Sequence, residues 1–208
     1  MSKSVMLSVR PKWCEKIASG EKTIEVRKTR PKLQTPFKVY IYCTKAKGRL
    51  IAILKDGDEN YGEIYHGKPV FIKQDEGSVC DMWGNRQKVI GEFTCDRIYE
   101  LETRSPGGSY YVKGEGQPTT NDVARQSCLT LKDMHEYLQA AKGYGWHISD
   151  LKIYDKPREL REFKKNNRDC FYADLGIAKR DCPDCKNSGC FLERPPQSWC
   201  YVEVTEDV

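Results

Sequence analysis

The sequence of 208 residues is long enough for one domain with a substantial hydrophobic core, or for one domain with a small satellite. It is 38% hydrophobic, 11% aromatic and 31% charged, which excludes a disordered chain, a collagen-like repeat and a small disulfide scaffold. The longest wholly apolar run, Leu50–Leu54, is far shorter than the roughly 18 residues of a membrane-spanning helix. Because Met1–Ser4 does not open a secretory signal either, we expect a cytoplasmic protein with no membrane partner.

Positive charge is concentrated at the start of the chain. The net charge is +5, yet residues 1–55 contain 14 basic and three acidic residues, a net +11, so residues 56–208 have a net charge of −6. A concentrated basic segment attracts polyanions, and a nucleic acid or a phosphate-bearing ligand is the first partner to consider. The alternative is a lysine-rich surface that is simply solvated.

The first elements are predicted by hydrophobic alternation and by turn residues. Val5–Val9 alternates as a strand does, and Pro11 suits the first turn of a helix over Lys12–Ser19 that ends at Gly20. Residues rich in β-branched and aromatic side chains then predict strands at Lys22–Lys28 and Phe37–Cys43.

Later elements are separated by glycine-rich stretches. Residues 56–82 are predicted as loops and short strands, and residues 105–118 as a linker. Thr130 is a candidate N-cap for a helix over 131–141. Strands are predicted at 89–98, 146–154 and 198–204. Because few strand–helix–strand units occur, we expect the α+β class: a small, mostly antiparallel sheet or barrel with short peripheral helices.

The ten cysteines predict a reducing compartment and a metal site near the C-terminus. Cys182 and Cys185 form a C-x-x-C pair, and we choose Cys170 and Cys190 as the other two ligands of a tetrahedral structural zinc. Cys200 alternates with aromatic residues in the last predicted strand and is either a ligand or a core residue. A redox-active dithiol and unligated thiols are the alternatives to zinc. The five scattered cysteines are predicted to be small buried hydrophobes: Cys14, Cys43, Cys80, Cys95 and Cys128.

Residues 20–27, Gly-Glu-Lys-Thr-Ile-Glu-Val-Arg, follow the pattern G-x-K-x-x-E-x-R. Together with Leu7–Trp13, this segment resembles the ASCH domains of the PUA-like superfamily. In that family a strand and a short helix lead into this glycine turn, beside a cavity in a small β-barrel. The chain is also similar to the larger ASCH proteins of bacteria and their phages, which end in a strand like Pro195–Tyr201. The resemblance implies a barrel domain at 1–165 and a closing barrel strand at 197–208, and the cysteine spacing predicts that the segment 166–196 between them is a zinc-binding excursion.

Three residues of the motif suggest ligand chemistry. Strand alternation places Glu25 and Arg27 on one face, and the long side chain of Lys22 can reach them from the turn. An ammonium group can hold a phosphate, a carboxylate can accept from a base amine, and a guanidinium can bind a phosphate or a base edge. The alternative is that Glu25 and Arg27 form a structural ion pair.

Other residues are candidates because aromatic rings stack on bases and polar side chains read base edges. Tyr42 and Trp146 are further aromatic candidates, although core packing is the alternative for any tryptophan here. The predicted ligand-binding set is Arg10, Trp13, Gly20, Lys22, Glu25, Arg27, Gln197, Ser198 and Trp199.

We therefore expect a module that binds RNA, a nucleotide or a modified base, in which the basic N-terminal segment meets phosphate and a polar cavity at Lys22, Glu25 and Arg27 receives a base. A hydrolase acting on a modified nucleoside, or a nuclease, is the first alternative, with Lys22 and Glu25 as its catalytic candidates. Some small ASCH amidohydrolases have a threonine where Glu25 stands here, so their proposed nucleophile is missing from this chain. The second alternative is a phage or prophage accessory protein that binds a host protein.

Overall fold

The computed structural model describes residues 3–45, 50–54, 70–73, 87–103, 108–139, 141–165 and 191–204. The helices in these ranges are α1 (Pro11–Ala18), α2 (Thr120–Gln126) and α3 (Leu131–Leu138), with one 3-10 turn at Leu160–Glu162. The strands are β1 (Ser4–Val9), β2 (Ile24–Arg27), β3 (Phe37–Cys43), β4 (Leu50–Leu54), β5 (Val70–Lys73), β6 (Val89–Cys95), β7 (Ile98–Thr103), β8 (Tyr110–Val112), β9 (Gly143–His147), β10 (Ser149–Arg158), β11 (Phe163–Lys165) and β12 (Trp199–Val204).

The described strands form two principal sheets and one hairpin. The larger sheet has the order β10-β6-β3-β1-β12-β11, the smaller has the order β2-β9-β7-β8, and β4 pairs with β5. β1 and β3 are parallel, and the other paired strands of the described residues are antiparallel. The predicted α+β class, with a mostly antiparallel sheet and short helices, is confirmed.

Alternating side chains of the larger sheet enter two separate hydrophobic clusters. Val5, Leu7 and Val9 lie in a core with α1 and the buried Trp146 of β9, whereas Met6 lies in a second cluster on the opposite face. A third cluster packs α2 and α3 against the smaller sheet. The core containing Trp146 therefore includes side chains from both sheets.

The N-terminal elements agree closely with the sequence predictions. Pro11 occupies the first turn of α1, and Gly20 follows the helix with a φ of 77°, a conformation that glycine adopts without steric cost. The predicted N-cap at Thr130 is also correct, since its side chain accepts from the Asp133 backbone N–H and completes a capping box.

Two predicted strands are wrong because each is two strands in different sheets. The strand predicted at 89–98 divides into β6 and β7, and the strand predicted at 146–154 divides into β9 and β10. Continuous β-type composition does not reveal a short connection at which the chain changes sheets. The linker predicted at 105–118 contains β8, and the polar helix α2 was not predicted, because only Val123 and Ala124 of its seven residues are buried.

The structure tests the cysteine predictions only for those cysteines that lie in the described ranges. Cys14, Cys43 and Cys95 are buried, as predicted, whereas Cys128 is partly exposed. Cys200 packs against the second hydrophobic cluster, and burial raises its pKa to about 11. Cys80 and the four predicted zinc ligands, Cys170, Cys182, Cys185 and Cys190, lie outside the described residues.

Within the described ranges, no helix is both long enough and apolar enough to cross a membrane.

Candidate ligand-binding site

The turn between α1 and β2 directs the Lys22 side chain into the protein. The Lys22 backbone N–H donates to the Lys16 carbonyl at 2.8 Å, which fixes the turn after Gly20. The Lys22 ammonium, only 3% exposed, lies 3.1 Å from Glu25 Oε2 and donates to the Ser127 carbonyl at 2.8 Å. The motif lysine is thus connected to the C-terminal end of α2, 105 residues later in the sequence.

Glu25 and Arg27 project from the same face of β2 and form a second ion pair. Arg27 Nη2 lies 2.8 Å from Glu25 Oε1 and donates to the Ser8 carbonyl at 2.7 Å. Arg27 Nη1 is 3.3 Å from the Ser198 hydroxyl. We call Lys22, Glu25 and Arg27 the charged cluster; its guanidinium joins β2 to β1 and to the residue preceding β12.

In the charged cluster Lys22 and Glu25 are buried and Arg27 is 11% exposed, and the cluster has a net positive charge. Burial alone would raise the pKa of Glu25, but the Lys22 ammonium and the Arg27 guanidinium outweigh burial and hold that pKa below its ordinary value. Among the described side chains, Glu25 is the carboxylate within 4.0 Å of Lys22 or Arg27, so two cations share one anion. Arg27 Nε is buried and has no hydrogen-bond partner in the described part of the chain.

A second buried donor lies on the same face of the smaller sheet. Trp146 is directly opposite Glu25 in the antiparallel register of β2 and β9, and directly opposite residues share one face. Its indole Nε1 is buried and also has no partner among the described residues. Buried polar groups are usually hydrogen-bonded, so an unpartnered donor identifies a place where an acceptor would be favourable.

Two aromatic side chains lie next to the charged cluster. Lys12 Nζ lies 4.7 Å, and Lys22 Nζ 5.1 Å, from the centroid of the Trp13 ring. Tyr137 on α3 is 40% exposed. Burial of its hydroxyl raises the pKa of Tyr137, while Arg27 and the Lys28 backbone, which face that hydroxyl, act in the opposite direction.

The structure brings most of the predicted ligand-binding residues together. Trp13, Lys22, Glu25, Arg27 and Ser198 make the contacts described above. The remaining predicted residues contribute differently: Arg10 is exposed and precedes α1, Gly20 shapes the turn, Gln197 is exposed beside Ser198, and Trp199 donates from Nε1 to the Thr29 hydroxyl at 3.0 Å.

The two additional aromatic candidates are corrected by their burial. Trp146 has 0% exposure and its ring packs edge-on against Phe37 and Trp199, so it cannot stack on a base. Tyr42 belongs to the second hydrophobic cluster, on the far face of the larger sheet.

Sequence reasoning missed Ser8, Ser127 and Tyr137. Ser8 and Ser127 contact the charged cluster through main-chain carbonyls, which carry no residue-specific signal. Of the three residues, only Tyr137 could have been suspected, because it is exposed on α3.

Two cavities in the described part of the chain lie apart from the charged cluster. A cavity of about 390 Å³ lies between β8, α2 and α3, and another of about 620 Å³ lies beside the 3-10 turn; neither is lined by the charged cluster. Within the described ranges, no group of three or more His, Cys, Asp or Glu side chains could hold a metal ion.

Comparisons with known proteins identify a domain in the N-terminal third. The family model described as "ASCH domain" matches residues 7–76. The crystal structure of ASCH from Zymomonas mobilis is 15% identical, with 96% of this chain and 87% of that chain covered and a TM-score of 0.48. A tyrosine-to-phenylalanine mutant of that protein is also 15% identical, with 97% and 91% covered and a TM-score of 0.49. No curated protein matches the chain.

Proposed function

Because the chain contains an ASCH domain at residues 7–76, we propose that it binds RNA or a nucleotide, including one with a modified base, at the charged cluster. The observation that supports this proposal most directly is the buried excess of positive charge. Lys22 and Arg27 share one carboxylate, and Arg27 Nε has no partner among the described residues. A ligand with a phosphate or with base acceptor atoms would supply the missing partner.

Buried charge is stable only when it is paired and hydrogen-bonded. Glu25 neutralises one of the two cations, so the other benefits from an anion or from several acceptors. A guanidinium forms short, charge-assisted hydrogen bonds to phosphate and to base edges. Arg27 is therefore the residue that we propose to contact the ligand, with Lys22 and Glu25 fixing its position.

The surroundings of the cluster support the same ligand class. Trp13 and the partly exposed Tyr137 provide rings on which a base can stack. The net charge of +11 in residues 1–55 favours approach of a polyanion.

The contacts of Lys22 favour binding over hydrolysis. Its ammonium is directed to Glu25, to the Ser127 carbonyl and to the Trp13 ring, and Glu25 is paired through both carboxylate oxygens. The Thr23 hydroxyl is directed to Gln126 at 3.4 Å. Both catalytic candidates are thus engaged by neighbours in the described part of the chain, Lys22 as a charged ammonium and Glu25 as a paired carboxylate, which suits a positioning role.

The proposal is tested by calorimetric titration with the four ribonucleoside monophosphates, their nucleosides and a short single-stranded RNA. Arg27→Lys keeps the charge and removes the planar fork, so we expect affinity to fall about tenfold or more, since charge-assisted hydrogen bonds contribute about 1.5–3 kcal/mol each. Arg97→Lys is the matched control, because Arg97 is exposed and lies 3.5 Å from Asp96, outside the cluster.

Mass spectrometry of the titrated ligands shows whether any is converted to product. Absence of binding by the unaltered protein across the panel would refute the proposed function. Equal affinity losses in Arg27→Lys and Arg97→Lys would refute its assignment to the charged cluster. Turnover of a ligand would replace the binding module with the hydrolase.

A further inference from the structure

We propose that a surface directly beside the charged cluster binds the single-stranded RNA that flanks the nucleotide in the site. This inference rests on the proposed function and adds the path of the strand outside the cluster. The surface is formed by Lys28, Arg30, Lys32, Tyr137, Tyr144 and Tyr201, and we call it the cation–aromatic surface.

The cations of this surface are exposed and are not neutralised by neighbouring carboxylates. Residues 28–38 contain four basic residues and no acidic one. Lys28, Arg30 and Lys32 are exposed, and in the described part of the chain none of them has a carboxylate within 4.0 Å. Glu100 lies within electrostatic range of Arg30 but is itself paired with Lys142 at 2.9 Å. Lys28 Nζ donates to the neutral Gln139 Oε1 at 3.1 Å, which leaves its charge uncompensated, so all three charges can attract phosphate groups.

Each cation is accompanied by an aromatic side chain. Lys28 Nζ lies 5.5 Å from the Tyr137 ring centroid, and Arg30 Cζ lies 5.9 Å from that of Tyr144. The Lys32 backbone N–H donates to the Tyr201 hydroxyl at 2.7 Å. Proteins that bind single strands combine cations for the backbone with rings for successive bases, and this arrangement has both.

The surface is continuous with the charged cluster. Lys28 directly follows Arg27, and the Tyr137 hydroxyl faces both residues. Tyr144 is directly opposite Arg27 in the register of β2 and β9. On the other side, Trp199 donates to the Thr29 hydroxyl at 3.0 Å. Residues 28–32 thus run between rings from α3, β9 and β12, starting at the cluster.

The rings favour a single-stranded nucleic acid over polyanions that have no bases, and RNA is the one that the proposed function supplies. An acidic peptide or a sulfated polysaccharide would engage the cations and would gain nothing from stacking. Tyr137 is 40% exposed and is one of two large hydrophobic side chains described as exposed, the other being Leu131. An exposed ring between a cation and the charged cluster is expected where a base stacks.

The inference is tested by fluorescence anisotropy with a labelled octauridine RNA, together with titration of unlabelled uridine monophosphate. Tyr137→Leu removes the ring, and Tyr137→Phe keeps the ring while removing the hydroxyl that faces Arg27. We expect octauridine affinity to fall about fivefold or more in Tyr137→Leu, by the usual contribution of base–aromatic stacking, and to change less than about twofold in Tyr137→Phe.

The charge contribution is measured with the double variant Lys28→Gln/Arg30→Gln. We expect the slope of log affinity for octauridine against log salt to become shallower by about 1.4, because each lost contact to a single strand contributes about 0.7. Uridine monophosphate affinity should stay within about twofold of the unaltered protein. The control is Arg125→Gln/Lys132→Gln, which neutralises two exposed cations on α2 and α3 and should leave the slope unchanged.

The outcomes separate this inference from the proposed function. If uridine monophosphate binds and the octauridine affinity and slope are the same in all variants, the cation–aromatic surface is refuted and the proposed function stands. If no RNA or nucleotide binds the unaltered protein, the proposed function fails and this inference fails with it. Tighter binding of octathymidine DNA, or of polyglutamate or heparin, would refute RNA as the occupant of the surface.

Discussion

Glu25 holds two cations together inside the protein, between Lys22 at 3.1 Å and Arg27 at 2.8 Å. We predict that Glu25→Gln lowers the free energy of unfolding by about 3–5 kcal/mol, because it leaves two buried cations facing a neutral amide. Urea unfolding followed by circular dichroism measures this change. Glu21→Gln is the control, because Glu21 pairs with Lys16 at the exposed surface and its loss should cost about 1 kcal/mol or less.

The same carboxylate should make stability depend on acidic pH. Because the pKa of Glu25 is lower in the folded protein, its contribution is present above the unfolded pKa of about 4.3 and is lost as pH falls through the folded pKa. Destabilisation below about pH 4.3 should therefore be smaller in Glu25→Gln than in the unaltered protein. If the free energy of unfolding fell equally with pH in the two proteins, Glu25 would not be held ionised by its neighbours.

The grouping of Lys22, Glu25 and Arg27 could be predicted from the sequence, whereas its other contacts could not. Period-two alternation puts Glu25 and Arg27 on one face, and a lysine three residues before Glu25 can reach it. Tyr137 and the carbonyl of Ser127 come from helices more than 100 residues later. Their position depends on how α2 and α3 pack on the smaller sheet, which no local pattern encodes.

Among the elements, β6 illustrates what local patterns reveal about backbone geometry. A glycine within a strand is typical of a bulge or bend, and the β3–β6 register shifts at Gly91, between Ile41 opposite Gly91 and Tyr42 opposite Val89. The boundaries at which the chain leaves one sheet for another, after β6 and after β9, depend on long-range pairing and were not predicted.

Gly91 also gives a prediction about packing between β6 and β10. A Cβ atom added at Gly91 would lie 2.5 Å from the Lys152 carbonyl oxygen, a backbone atom that cannot move without shifting the strand. Gly91→Ala should lower the free energy of unfolding by about 1–3 kcal/mol, as overpacking does. Gly145→Ala is the control: its Cβ would meet a side-chain methyl of Ile24 at 3.0 Å, so the loss in urea unfolding should be smaller. Equal losses would contradict this packing account.

The segment containing Cys182 and Cys185 gives a prediction about metal content. We propose that purified, reduced protein contains about one zinc ion per chain, because a C-x-x-C pair with two further thiolates forms a closed tetrahedral site. Cys182→Ser and Cys185→Ser should lose the metal in elemental analysis, whereas Cys128→Ser should retain it. Less than about half an equivalent in chelator-free preparations of the unaltered protein would refute the zinc site.

At the scale of the whole molecule, the uneven charge is explained by the fold. The basic N-terminal third includes α1, β2 and residues 28–38, which surround the charged cluster and form much of the cation–aromatic surface. Elsewhere in the described part of the chain, surface charges form ion pairs such as those of Lys142 with Glu100 and Glu102. The sequence predicted the charge asymmetry and the ligand class that it favours. The position of that charge beside the exposed Tyr137 ring required the structure.

The measurement that tests the central claim most directly is the affinity of the unaltered protein for a labelled single-stranded RNA, followed by anisotropy at several salt concentrations. We predict measurable binding and a slope of log affinity against log salt of about −1.4 or steeper, which corresponds to at least two phosphate contacts. A flat dependence on salt, or no binding at low salt, would contradict the claim that the charged cluster and its neighbouring surface form a nucleic-acid-binding site.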